Sequence, residues 1–249
     1  MCLPFIVIRE VFLMLAILDE RAPQKICDSL MARGYSLLTL PPHPSLPAPV
    51  SSHPDMLLFF AKDRILCTKE YAKIASRELQ TLSDHTNKPI VTVEECVSGL
   101  YPYDILLNCA VVGNTLFCHA SHSAKAIRED TYDAIHFVRQ GYAKCATLPV
   151  SKKALITEDP SIATVAGSNG FDVLQIDSDN VSLPGYDTGF FGGATSCSPY
   201  ENTREIFVCG DIRRHSNADE IIDFCHRFDR DPVSLSEDPI VDLGTVFLI

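Results

Sequence analysis

The sequence predicts one α/β domain assembled from repeated strand–loop–hairpin–helix units. Three observations carry that reading. Short apolar strand-like runs alternate with segments of helical period. A loop bearing acidic, proline or tyrosine residues recurs before successive strand pairs, at starts roughly 40 to 55 residues apart. No Gly/Ser linker or low-complexity tract divides the 249 residues, of which 46% are apolar, so the chain can bury a core.

The elements follow in order. Residues 3–18 form an apolar run that Arg9 and Glu10 interrupt; the uninterrupted parts are too short to span a bilayer, and no membrane partner is expected. Residues 1–13 read as an N-terminal extension, with Met14 as an alternative start, and 14–249 as a single domain. Leu15–Leu18 reads as a strand ending at Asp19. Ile26, Leu30 and Met31 have helical spacing, closed by Gly34. Tyr35–Leu40 reads as a strand. The proline-rich stretch 41–55 reads as a surface loop arriving at a site. Hairpins are expected over 56–67, 103–119 and 143–157, and over 190–209 around a turn at Glu201–Asn202. Helices are expected over 69–82, 123–127, 159–169 and 218–228, each followed by a strand. The apolar segment 240–249 ends the chain.

Charge and cysteine content narrow the function classes. A formal net charge of −11 repels phosphate backbones, so nucleic acid is not an expected partner. The ten cysteines form no CxxC pair, which argues against a zinc ribbon or a thioredoxin-like motif. Cys67, Cys109, Cys118 and Cys209 lie in apolar strand-like runs and read as small core residues of a reduced, cytoplasmic protein. His119 and His122, beside Cys118, have no second ligand cluster. No metal and no cofactor is expected.

The loops before the hairpins repeat a theme: Ser52-His53-Pro54-Asp55, Tyr101-Pro102-Tyr103-Asp104, Gly141-Tyr142-Ala143-Lys144-Cys145, Pro184-Gly185-Tyr186-Asp187 and Pro239-Ile240-Val241-Asp242. With MLAILDERAP, HPDMLLFF, YPYDILLNCAVVGN, QGYAKCATL, PGYDTGFFGGAT, FVCGDIRRH and VDLGTVFLI in this order, residues 14–249 resemble a bacterial family of uncharacterised function with the guanidino-group-modifying, or pentein, fold. The resemblance implies a pentein-like pseudo-fivefold α/β propeller built of ββαβ-type modules. It also implies a central site at the module ends, and a last strand near Val246 pairing near Leu15. Enzymes of that fold use a Cys nucleophile, a His and two acidic residues on guanidinium or amidine carbons. This sequence departs from them: no Cys follows Cys225, Ala194 follows the Gly192–Gly193 pair where a carboxylate is common, and the third unit offers Lys144 and Cys145.

Candidate residues follow from chemistry. Asp55, Asp104, Asp187 and Asp242, converging on one centre, would repel one another and call for a cation. Asn108 can donate from its amide, and Lys144 supplies a charge beside a thiol. Cys145 is the leading nucleophile because a neighbouring cation stabilises a thiolate; Cys197 is the second. His53 is the candidate base. The expected function is binding of a small cationic ligand, guanidino, amidino or amine, in a central acidic pocket. The alternatives are a thiol-dependent hydrolase or amidinotransferase acting on a guanidino compound, and a non-enzymatic interaction protein. Oligomeric state is not readable from the sequence.

Overall fold

The computed structural model describes residues 14–200 and 203–249. The expected extension 1–13 and the turn at Glu201–Asn202 lie outside the described residues. The chain opens with β1 (Met14–Asp19), α1 (Gln24–Ala32) and β2 (Tyr35–Leu40). A short helix α2 (Pro54–Leu57) leads into β3 (Phe59–Phe60), β4 (Ile65–Thr68), α3 (Lys69–Ile74), α4 (Ser76–Thr86) and β5 (Ile90–Val93). The next unit is β6 (Ala110–Val112), β7 (Thr115–His119), α5 (Lys125–Arg128) and β8 (Ala134–Val138). It is followed by β9 (Leu148–Ser151), β10 (Ala154–Thr157), α6 (Pro160–Ser168) and β11 (Asp172–Gln175). Then come β12 (Val181–Ser182), β13 (Ser196–Cys197), β14 (Glu205–Val208), α7 (Ala218–His226) and β15 (Asp231–Ser234). β16 (Ile240–Val241) and β17 (Val246–Leu248) end the chain.

One pairing rule repeats. A first strand runs antiparallel to a second, and the second runs parallel to a third after a helical crossover: β3–β4–β5, β6–β7–β8 and β9–β10–β11. The β13–β14–β15 unit obeys it with a single antiparallel bridge, Thr195 to Val208, ahead of the parallel β14–β15 pair. The remaining unit joins the two chain ends. β17 is antiparallel to β1, with Ala16 opposite Leu248, and β1 is parallel to β2. The expected pairing of the last strand with the first is therefore present.

Burial explains the rule. The middle strands β4 and β10 are buried at every position, while the third strands β11 and β15 keep none fully buried. The longer helices turn an i, i+3/i+4 stripe onto their sheets, Ile26 and Leu30 in α1 and Ile221, Phe224 and Cys225 in α7. Thr68 and Asp159 cap α3 and α6 through their side-chain oxygens, satisfying first-turn amides.

Three expectations change. The fold is α/β with repeated ββαβ-like units, but among the described residues no closed propeller sheet joins them: the strands there fall into six separate sheets. Each ladder stops where its first strand, two to four residues long, gives way to a central loop. The first strands are also shorter than the apolar runs suggest. Ile105, Leu106 and Leu107 are buried but sit in turns, with the Asn108 amide donating to the Ile105 carbonyl and Cys109 to Leu107. The proline-rich segment ends as buried structure, with Ser51–Asp55 inside. No helix among the described residues is long and apolar enough to cross a membrane.

Candidate functional site

The loops that precede the first strands meet at the centre. Asp55, in the first turn of α2, is fixed by its amide, which donates to the Gly244 carbonyl (3.0 Å). Asn108, just before β6, accepts the Lys144 and Cys145 amides on Oδ1 (2.8 and 3.2 Å). Its Nδ2 lies 3.1 Å from Cys145 Sγ and 3.3 Å from the Asp55 carbonyl. The Cys145 thiol donates to Asp55 Oδ2 (3.1 Å). Thr245, before β17, donates to the same oxygen (2.9 Å) and accepts from Lys144 Nζ (2.9 Å). The Gly193 amide donates to the Cys145 carbonyl (2.8 Å). Five loops thus hold one hydrogen-bonded layer. Thr245 sits at φ +67°, a left-handed conformation that costs a β-branched residue about 1–3 kcal/mol and marks a site held by its surroundings.

His53 lies beside this layer. The donor atoms of His53, Asp55 and Cys145 all fall within 4.8 Å of one another, and all three residues are buried. His53 Nε2 is 3.7 Å from Asp19 Oδ2, and Nδ1 is 3.9 Å from Asp242 Oδ1. Asp242 in turn accepts the Phe190 amide on Oδ2 and the Gly244 amide on Oδ1, both at 2.9 Å. Asp104 accepts the Tyr142 hydroxyl at 2.6 Å. His53 Nδ1, Asp55 Oδ1, Asp104 Oδ1 and Glu158 Oε2 are buried without a hydrogen-bond partner. One ring nitrogen and three carboxyl oxygens are therefore left for something that brings donors or positive charge.

Burial dominates the electrostatics. It pushes the Cys145 thiol well above its usual range, and the Asp55 and Asp242 carboxyls add to the rise. It raises the carboxyls of Asp55, against the pull of Lys144, and of Asp242, against His53. It lowers the His53 imidazole, although Asp242 and Asp19 oppose that. The resting site thus favours neutral forms. A histidine, a carboxylate and a thiolate at this spacing also suit a borderline-soft dication such as zinc. A metal would have to displace the proton shared by Cys145 and Asp55.

The structure places the predicted residues unequally. Cys145, Asp55, Asn108, Lys144 and His53 come together, Asp242 lies against His53, and Asp104 is linked through Tyr142. Asp187 is exposed, and its segment delivers Gly192 and Gly193 to the centre instead. Cys197 is not in the His53 cluster: it lines a cavity, with Lys144 and Asp55 as the charged groups that act on it. Asp19, Glu158 and Thr245 are additions. Asp19 and Glu158 stand at the ends of the middle strands β1 and β10, a position visible in the sequence as an acid closing an apolar run.

Glu158 carries a prediction. Burial raises its carboxyl from 4.5 to about 7, although the Phe191 amide bonds Oε1 at 2.7 Å. Between those values the folded state keeps a proton that the unfolded chain releases, so stability falls as pH rises through that window, by about 3 kcal/mol. Glu158→Gln keeps the acceptor and removes the titration. Its melting temperature is expected to exceed that of the parent at about pH 8, by roughly 5–10 °C, and to match it near pH 4. Parallel melting curves across that range would refute the assignment.

Comparison with known proteins comes to the same fold. DDAH from Pseudomonas aeruginosa, a cysteine-to-serine mutant complexed with citrulline, superposes with a TM-score of 0.55 at 9% identity, covering 90% of this chain and 91% of that one. SxtG, an amidinotransferase from Microseira wollei in the saxitoxin biosynthetic pathway, gives 0.52 at 12% identity, covering 86% and 73%. Agmatine deiminase from C. jejuni gives 0.50 at 10% identity, covering 90% and 87%. At these identities the likeness is one of fold. No curated protein matches the chain. A family profile matches residues 17–247, and the chain belongs to that family, described as a family of unknown function (DUF6873).

Proposed function

We propose that this protein is a thiol-dependent hydrolase or amidinotransferase acting on a small guanidino compound, with Cys145 as nucleophile and His53 as acid–base group. The observation that carries it is the buried trio His53, Asp55 and Cys145 within 4.8 Å, beside partnerless carboxyl oxygens of Asp55, Asp104 and Glu158. The five ββαβ-like units are read here as a pseudo-fivefold ring around that centre. The solved proteins of similar fold include an amidinotransferase and a deiminase by name, which supports the reaction class.

A guanidinium is planar, carries one delocalised charge and presents N–H donors. Placed among these carboxyls it supplies the missing donors and favours their ionised forms. It also offsets the charge that a thiolate at Cys145 would otherwise add to an acidic site. The Cys145 proton passes to a neighbouring base, Asp55 at 3.1 Å or neutral His53. Sulfur then bonds to the guanidinium carbon, and the C–N bond to the leaving amine breaks as that nitrogen takes a proton. Water or an acceptor amine adds to the resulting thiouronium carbon, the C–S bond breaks, and the thiol is restored.

The strong upward pressure on the Cys145 thiol favours a second reading, a cation-binding protein without chemistry. Incubation with arginine, agmatine and related guanidino compounds separates the two. The enzymatic reading expects release of ammonia or amine with a ureido or transferred product, abolished in Cys145→Ser. Thermal stabilisation by a guanidino compound without any product supports binding alone. Neither shift nor product across the panel would remove both readings.

A further inference from the structure

A chamber adjoins the hydrogen-bonded layer at Asp55 and Lys144. It has a volume of about 690 Å³, and Asp55 and Lys144 reach it while His53, Cys145 and Asp242 do not. Its apolar lining includes Phe59, Phe60, Val111, Val150, Ile206 and Phe247, beside polar groups such as Thr115 and Ser196. Its charged groups are Lys144, Lys152, Lys153 and Arg230 against Asp55 and Asp133. Asp133 already takes the Asn114 amide at 2.8 Å. Cations therefore outnumber acids here, four to two, within a chain of net charge −11.

Arg230 decides what the chamber wants. It is only 8% exposed. Its Nε donates to the Val150 carbonyl at 2.9 Å. Its terminal nitrogens have no carboxylate and no hydrogen bond among the described residues; the adjacent Asp231 pairs instead with Arg204 (2.7 Å). The Tyr200 hydroxyl, on the same chamber, is also buried without a partner. Those nitrogens are not among the fully buried atoms, so their donors are open to an anion that enters the chamber. A carboxylate matches its fork with two parallel hydrogen bonds. The apolar part of the lining suits a hydrocarbon body, and the volume falls within the roughly 300–1,000 Å³ of small-molecule sites.

We propose that this chamber binds a small organic carboxylate, its anionic end on Arg230 with Lys152 and Lys153 nearby and its apolar body along Phe60, Phe247 and Val111. The proposal does not rest on the Cys145 reaction, although Asp55 and Lys144 border both sites.

Isothermal titration of the full chain with hexanoate and with hexylammonium tests this, since the two share a hydrocarbon body and differ in charge. Hexanoate is expected to bind, hexylammonium at least about tenfold more weakly, and Arg230→Gln to weaken hexanoate by at least about tenfold. Cys145→Ser is expected to leave hexanoate binding unchanged, even if guanidino turnover fails or was never present. Should Arg230→Gln not fold, the exposed pair Lys152→Gln/Lys153→Gln carries the test, with a loss of about two- to fivefold that shrinks as salt rises. Equal affinity for the two probes, no heat with hexanoate, or affinity indifferent to these substitutions would overturn the proposal.

Discussion

Asp55→Asn is expected to abolish guanidino turnover and, at the same time, to make Cys145 more reactive toward alkylating agents. The two effects run in opposite directions because Asp55 does two things. Its Oδ2 accepts from the Cys145 thiol and from Thr245, while Oδ1 has no partner and stands open to a cation. Asparagine can keep the accepting oxygen where Oδ2 lies and place its amide nitrogen where Oδ1 lies. That nitrogen is a donor facing a donor-rich ligand, and the charge that would have held the ligand is gone. Loss of one such preorganised partner costs roughly 10²- to 10³-fold in turnover. The thiol, however, sheds a carboxyl neighbour that holds its pKa up. Each unit by which that pKa drops raises the thiolate fraction about tenfold below it. Iodoacetamide labelling of Cys145, followed by peptide mass, should therefore be faster in Asp55→Asn than in the parent. Slower labelling together with lost turnover would indicate general damage to the layer and defeat the assignment of Asp55.

The sequence carries the order of units because the middle strands, such as Ile65–Thr68 and Ala154–Thr157, are buried at every position and therefore appear as unbroken apolar runs. It also carries the convergence of Asp55, Asn108 and Cys145, each lying just ahead of a first strand. It hides what the loops do with their backbones. Ile105–Leu107 and Ala143–Thr147 have the apolar content of strands, yet they turn inward: the carbonyls of Ile105–Leu107 accept local amides and the Ala124 amide, and the amides of Lys144–Thr147 donate within the turn and to Asn108. Composition cannot distinguish a buried turn from a buried strand when both exclude water. Asp187 shows the reverse problem. It occupies the same position in its motif as Asp104, but the glycines after it bring backbone to the centre and leave its carboxyl outside. Gly193 would place a Cβ 2.2 Å from Asp242 Oδ1, so no side chain fits where the fourth loop passes Asp242. The departure from the enzymes' pattern at this segment is thus filled by backbone packed against an acid contributed by the last loop.

The same reasoning makes Gly244→Ala the substitution with the largest expected effect on stability, and Gly170→Ala supplies its control. Both glycines have positive φ, +65° at Gly244 and +77° at Gly170. An alanine at either position bears the left-handed penalty of roughly 1–2 kcal/mol. A Cβ at Gly170 meets nothing within 4 Å. A Cβ at Gly244 would lie 2.2 Å from His53 Cβ and 2.6 Å from His53 Cα, so backbone must move. That movement pulls on Asp55, whose amide donates to the Gly244 carbonyl, and on Asp242, which accepts the Gly244 amide. The site and the seam between the first and last loops are one structure here. Gly170→Ala should therefore lower the melting temperature by several degrees, at about 2–4 °C per kcal/mol for a chain of this size. Gly244→Ala should cost more than about 4 kcal/mol or prevent folding. Equal losses in the two variants would mean that the approach of Gly244 to His53 is relieved at little cost, and that the central layer is looser than its hydrogen bonds imply.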